Sequence, residues 1–261
     1  LTGSFQRLDL GYNHRSFRTI SAVASEQVEE QQLESLRDRL LASCRGPYEV
    51  LLGASLDDVY QWTLGTALRQ GNAGSRVIEL RWDDTTDSST LTKTTADSPG
   101  CPDPLALQDI FNEDDGSVVG LWVELPSVTP TMLVELQDWL KELEQLCLDH
   151  GALLILDEVN SGFGRSGLWW DWLHFEVNPD LVVFGGQGKV SGVFSHKRLG
   201  IMACTEMGVP DAFQVTSCDL LLDVIEDEGL VGHAAVMGSY LIKVLVDLQR
   251  SFSQIEAVSS R

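Results

Sequence analysis

Ala152-Leu153-Leu154-Ile155-Leu156-Asp157-Glu158-Val159-Asn160-Ser161-Gly162-Phe163-Gly164-Arg165-Ser166-Gly167 is the stretch on which the fold turns. Its continuation is Pro179-Asp180-Leu181-Val182-Val183-Phe184-Gly185-Gly186-Gln187-Gly188-Lys189. Each segment opens on a short apolar run and ends that run on carboxylates or glycines. Short apolar runs closed by glycine, with helical stretches between them, read as buried parallel strands of an α/β sheet. Ligands of such sheets sit at the carboxyl ends of the strands. Asp157 and residues 185–189 would both lie there.

Working outward, the same alternation continues. Residues 26–43 carry Leu33, Leu36 and Leu40 at helical spacing, with a solvated charged face. Tyr48 to Leu52 reads as a strand, then Gly53-Ala54-Ser55 leads into a helix from about Leu56 to Gln70. Arg76 to Arg81 is a further strand. Residues 83–100 are rich in Thr, Ser and Asp and read as loop, which Pro99, Pro102 and Pro104 extend. Ser117 to Glu124 is a buried strand. Thr129 caps and Pro130 begins a helix to about His150. Its core face is Met132, Leu136, Leu140, Leu143 and Leu146 or Cys147, and Gly151 ends it. Trp169, Trp170, Trp172, Leu173 and Phe175 read as packing or interface. Cys218 to Arg250 reads as one or two helices.

Composition bounds the function. A chain of 261 residues, 43% hydrophobic, suits one large α/β domain or a domain plus part of another. The formal charge of -21 argues against nucleic acid or an anionic membrane as partner, because phosphates would be repelled. Its simplest meaning is a solvated surface, and the alternative is docking to a basic partner. The 5 cysteines are odd in number and lack C-x-x-C spacing, which suggests reduced thiols in an intracellular compartment. No apolar run approaches the roughly 20 residues of a membrane span. The absence of an initiator Met suggests a processed or cut beginning. No metal-ligand spacing stands out.

The stretch from Leu153 to Gly167 resembles the signature of the class III aminotransferases, pyridoxal-phosphate (PLP) enzymes of fold type I, usually written LLI-x-DEVQTGFGRTG. Val190-Ser191-Gly192-Val193 is similar to the segment after the PLP lysine in the lysine and 4-aminobutyrate aminotransferase branch. The resemblance implies a three-layer large domain with a mostly parallel central sheet over residues 1–215, and a truncated, helical start of a C-terminal domain over 216–261. It implies PLP as cofactor and a homodimer. It also implies roles residue by residue. Asp157 would bond the protonated pyridine nitrogen. The Ala54 and Ser55 amides would hold the phosphate at a helix N-terminus, a ready anion site. Ser55 is equally a good N-cap without any ligand. Trp82 would stack on the ring, Asn160 would approach its hydroxyl, and Arg165 would meet substrate or brace its turn.

The chain also departs from that pattern. The family's lysine falls six residues after the Asp of Pro-Asp, which here is Gly186. Lys189 stands three residues later, up to about 10 Å of extended chain away and on the opposite face. Leu56 replaces a glutamate, and Asp57 and Asp58 would repel a phosphate. The His-Gly after the aromatic residue, the Gly-rich active-site loop and the phosphate-binding threonine are altered. Three readings are open, the weakest being that PLP or pyridoxamine phosphate is held non-covalently through Asp157 and Ser55. Another is an aminotransferase fold that has lost catalysis and serves a structural or docking role, as a homodimer or in a larger assembly, with PLP not bound. The last is an active PLP transaminase using Lys189.

Overall fold

The computed structural model describes residues 30–72, 74–80, 104–113, 116–125, 133–186, 190–200 and 207–252. A six-stranded mixed sheet occupies the middle. Its strands are β1 (Tyr48–Gly53), β2 (Arg76–Leu80), β3 (Val118–Glu124), β4 (Leu153–Asp157), β5 (Leu181–Phe184) and β6 (Ser191–His196), in the order β1-β6-β5-β4-β3-β2. β2 to β5 are mutually parallel, and β6 runs antiparallel to both of its neighbours, β5 and β1.

The strands are apolar because the sheet is covered on both faces. Side chains alternate along them: Leu154, Leu156, Val182 and Phe184 enter one core, while Leu153, Ile155, Leu181 and Val183 enter the other. Helix α2 (Leu56–Arg69) covers the second face with Val59, Trp62 and Ala67. The first face is covered by α1 (Glu30–Ala42), α3 (Pro104–Glu113), α4 (Leu133–His150) and α5 (Ala212–Asp227). The result is the expected three-layer architecture. Each covering helix follows from its spacing: Leu33, Leu36 and Leu40 on α1, and Leu136, Leu140, Leu143 and Cys147 on α4, are all buried. Gly151 (φ 68°) terminates α4 and lets the Ala152 N–H return to the Cys147 carbonyl at 2.9 Å.

Two elements differ from the sequence reading. Pro104 does not extend a loop; it opens α3, where its missing N–H costs nothing, and Leu107 and Phe111 bury one turn apart. Ser191 to His196 becomes β6, wedged between β1 and β5. Gly192 makes that possible, since a side-chain carbon there would stand 2.6 Å from the Leu51 carbonyl oxygen. The tryptophan-rich segment is packing. Trp170 is 0% exposed, with ring centroids 5.0 Å from Phe163, 5.1 Å from Phe184 and 4.9 Å from Phe194.

Helix α6 (Leu230–Ser251) follows α5 and rests on the 162–167 turn, with Val231 against Gly164 and Ala235 against Gly167. It meets the length and composition of a membrane-crossing helix, with a mean hydropathy of 1.4 over its most apolar window. The expectation that no stretch approaches a span is corrected to that extent. The segment hides this in sequence because Lys243, Asp247 and Arg250 lie towards one end of it.

Candidate functional site

The carboxyl ends of the strands converge on one rim. Register pairs Glu124 with Asp157, Asp157 with Val183, Phe184 with Gly192, and Gly53 with Ser191. The ends of β3, β4, β5 and β1 therefore lie in a row, with the amino end of α2 following β1 directly.

Asp157 ends β4 on that rim, and its carboxylate is engaged by the chain itself. Oδ2 accepts from the Tyr60 hydroxyl at 3.0 Å and from Trp122 Nε1 at 3.3 Å, and Oδ1 accepts from the Val159 N–H at 3.0 Å. Burial pushes its pKa up; the three donors oppose that, and the nearby Glu124 charge adds to it. The Tyr60 phenol is pushed well above its usual range by burial and by the Asp157 charge. Tyr60 also sets its ring edge-on to Trp122, with centroids 5.3 Å apart.

Asn160 does not approach Asp157 in this network. Its Nδ2 donates to Glu124 Oε1 at 2.9 Å, from an exposed Asn160 to a half-buried Glu124. Arg165 donates from Nη1 to the Asn160 carbonyl at 2.8 Å, which is the turn-bracing role. The turn itself is held from beneath. Phe163 takes a left-handed conformation (φ 62°), unusual for a non-glycine residue, and its ring is sunk against Trp170 and Phe184. Glu158 is 0% exposed and ties β4 to the next turn. Its Oε2 accepts from the Ser161 hydroxyl at 2.5 Å and its Oε1 from the Trp172 N–H at 2.6 Å. Burial, then the Asp171 charge, pushes its pKa up to about 7.

At the amino end of α2, Ser55 is the N-cap, and its Oγ accepts from the Asp58 N–H at 3.1 Å. The Ala54 N–H donates to the Gly208 carbonyl at 2.7 Å. Gly186 follows β5 with φ 80°; a side-chain carbon there would meet Val159 Cγ1 at 3.4 Å and Leu56 Cδ2 at 3.9 Å. The position six residues after Asp180 thus faces the rim between β4 and α2, and carries no side chain. Trp82 and Lys189 lie outside the described residues.

The structure brings Asp157, Gly186, Ala54 and Ser55 to one rim. Tyr60 and Trp122 join them without having been singled out from sequence, while Glu158, the second carboxylate of the motif, is buried beneath the turn. Helical spacing offered a signal for Tyr60, which lies one turn after Leu56 on α2. Trp122 alternates with Leu121 and Val123 and so points to the α2 face. As they stand, these groups do not fit PLP. No lysine stands at 186 and the Ala54 amide is engaged, while Asp157 accepts from the chain at both oxygens but keeps a lone pair of Oδ1 for a further donor.

A three-layer α/β domain with one antiparallel strand, and with its candidate site at the strand carboxyl ends, is a PLP-transferase fold. An acetylornithine aminotransferase structure from Elizabethkingia anophelis matches it with a TM-score of 0.68 at 19% identity, over 92% of this chain and 67% of that one. Plasmodium falciparum ornithine delta-aminotransferase matches with a TM-score of 0.66 at 16% identity, over 90% and 65%. The sequence pattern of the class-III aminotransferases matches residues 105–261, and the chain belongs to that family. The acetylornithine aminotransferase of Archaeoglobus fulgidus is 32% identical over 165 residues, 59% of this chain and 42% of that protein. The L-lysine-epsilon aminotransferase of Mycobacterium bovis is 34% identical over 122 residues, 43% and 27%. The chain thus spans less than half the length of these relatives.

Proposed function

We propose that this chain is an aminotransferase-fold protein that no longer catalyses transamination and serves as a structural or docking subunit. Gly186 carries the reading. Imine chemistry on a carbonyl cofactor needs an amine within bonding reach, both as nucleophile and as proton carrier. The position that faces Asp157's rim has neither. Supporting it, Asp157 has partners within the chain itself, Oδ2 accepting from Tyr60 and Trp122, so its presence is accounted for by packing without a cofactor. The docking half is supported by α6, whose Val236 (68% exposed), Tyr240 (62%) and Leu241 (53%) form an apolar surface of the kind that marks an interface. Its occupant in this reading is a second copy of the chain.

The test is the absorbance spectrum of the purified protein after incubation with PLP and desalting. No retained aldimine band is expected. A band that survives desalting and vanishes in Lys189→Ala overturns the reading in favour of an active transaminase using Lys189. The docking half is tested by the mass in solution: a dimer is expected, and Tyr240→Asp should return it to monomer. A monomeric unsubstituted chain refutes that half.

A further inference from the structure

We infer that the amino end of α2 has become an intramolecular latch that closes the cofactor cup, so that the chain excludes even a phosphorylated ligand that needs no lysine. The inference deepens the reading above and rests on it, with its main observations at Ala54, Gly208 and Gln214 rather than at Gly186.

Two hydrogen bonds on Ala54, and the cap that fixes one of them, build the latch. The Ala54 N–H, implied by the family resemblance as a phosphate donor, is spent on the Gly208 carbonyl at 2.7 Å. The Ala54 carbonyl accepts from Gln214 Nε2 at 2.7 Å. Gln214 is itself fixed by the capping box of α5: its N–H donates to Asp211 Oδ1, and its Oε1 accepts from the Asp211 N–H. The Ser55 hydroxyl accepts from the Asp58 N–H within its own helix, which fixes its rotamer while leaving its hydrogen to donate. The packing is as close as the bonding. A side-chain carbon at Gly53 would stand 2.8 Å from Met207 Sδ, and one at Gly208 would stand 2.9 Å from Ala54 Cβ and 3.1 Å from Asp58 Oδ2. Residues 207–208 therefore pack on the Gly53–Ala54 turn, which the family resemblance makes the phosphate site.

Charge acts in the same direction. A helix N-terminus attracts an anion through its free N–H groups and its dipole. Here the first turn already carries Asp57 and Asp58, which satisfy the dipole and oppose a second anion. The opposite end of the cup is closed from the same helix, by Tyr60 on Asp157. An arriving phosphate would have to displace Gly208 from Ala54, and would gain its contacts beside two carboxylates.

Pyridoxamine 5′-phosphate separates this inference from the previous one. It carries the phosphate and the pyridine nitrogen but no aldehyde, so its binding does not depend on any lysine. Titration calorimetry on the full chain, first shown to unfold cooperatively, should give no saturable heat up to millimolar ligand, and inorganic phosphate should behave alike. Hydrogen exchange should show the Ala54 amide protected in the ligand-free protein. Saturable pyridoxamine phosphate binding overturns the latch while leaving the loss of the lysine standing. An Ala54 amide that exchanges at the rate of an open loop also overturns it. A lysine-borne aldimine with PLP overturns the earlier reading instead.

Discussion

Glu158→Gln should flatten a pH dependence of stability that the native residue imposes. Glu158 is wholly buried, and its pKa rises from 4.5 to about 7. A carboxyl whose folded pKa is raised favours the folded state while protonated. Its contribution is complete below the unfolded value of 4.5 and is lost as pH rises towards the folded value of about 7. Above that the curve is flat. At about 1.4 kcal/mol per unit, the loss across this window is about 3 kcal/mol, as an order of magnitude. Glutamine can keep both contacts, since its carbonyl can accept from the Trp172 N–H and its amide can donate to the Ser161 hydroxyl. It does so without a charge to bury. The unsubstituted chain and the variant should therefore be about equally stable near pH 4.5, and the variant should be ahead by about 3 kcal/mol at pH 8. For a chain of this size that is roughly 6–12 °C in midpoint. The assay is urea unfolding of both proteins at half-unit steps from pH 4.5 to 8. Using the difference between the two removes the titration of the other carboxylates. Parallel curves, or a variant that falls behind as pH rises, would refute the argument that burial governs Glu158. Asp171→Asn should shrink the effect, because the Asp171 charge is the second cause of the rise.

Trp170→Ala removes a fully buried ring from the Phe163–Phe184–Phe194 cluster and its Nε1 bond to Ser43 Oγ; thermal melts should show a loss of about 3–5 kcal/mol. Gly192→Ala forces a carbon to 2.6 Å from the Leu51 carbonyl oxygen and from the Phe184 ring, so urea unfolding should show a loss of several times the roughly 1 kcal/mol typical of a point substitution. Asp180→Ala strands the buried Leu154 N–H and the Arg198 guanidinium that Asp180 holds at 3.0 and 2.8 Å, with an expected loss of about 3 kcal/mol by the same assay. Arg39→Met breaks ion pairs to Asp219, Asp223 and Glu226, yet these carboxylates are a third to a half exposed, so the loss should stay near 1 kcal/mol and diminish with added salt.

The sequence alone determined the layers and most of their pieces. Periodicity is a local property: Leu33, Leu36 and Leu40, or the run from Leu153 to Leu156, report which faces must be buried before any partner is known. The motif at Asp157 to Gly167 and the glycine at 186 were equally legible, because each is a matter of residue type and count. β6 was not, since Ser191 to His196 becomes a strand only by lying between β1 and β5, and its glycine answers to a carbonyl on another strand. The engagement of Asp157 was not legible either. Tyr60 stands 97 residues before it in sequence and Trp122 stands 35 before it. Nor was the seating of Gly208 on Ala54. Hydrogen bonds and close contacts between distant segments depend on how elements stack, and stacking is set by the whole core rather than by any one stretch. That is why the type of each group on the rim could be read from the chain, while what each group is bonded to was decided only by the tertiary fold.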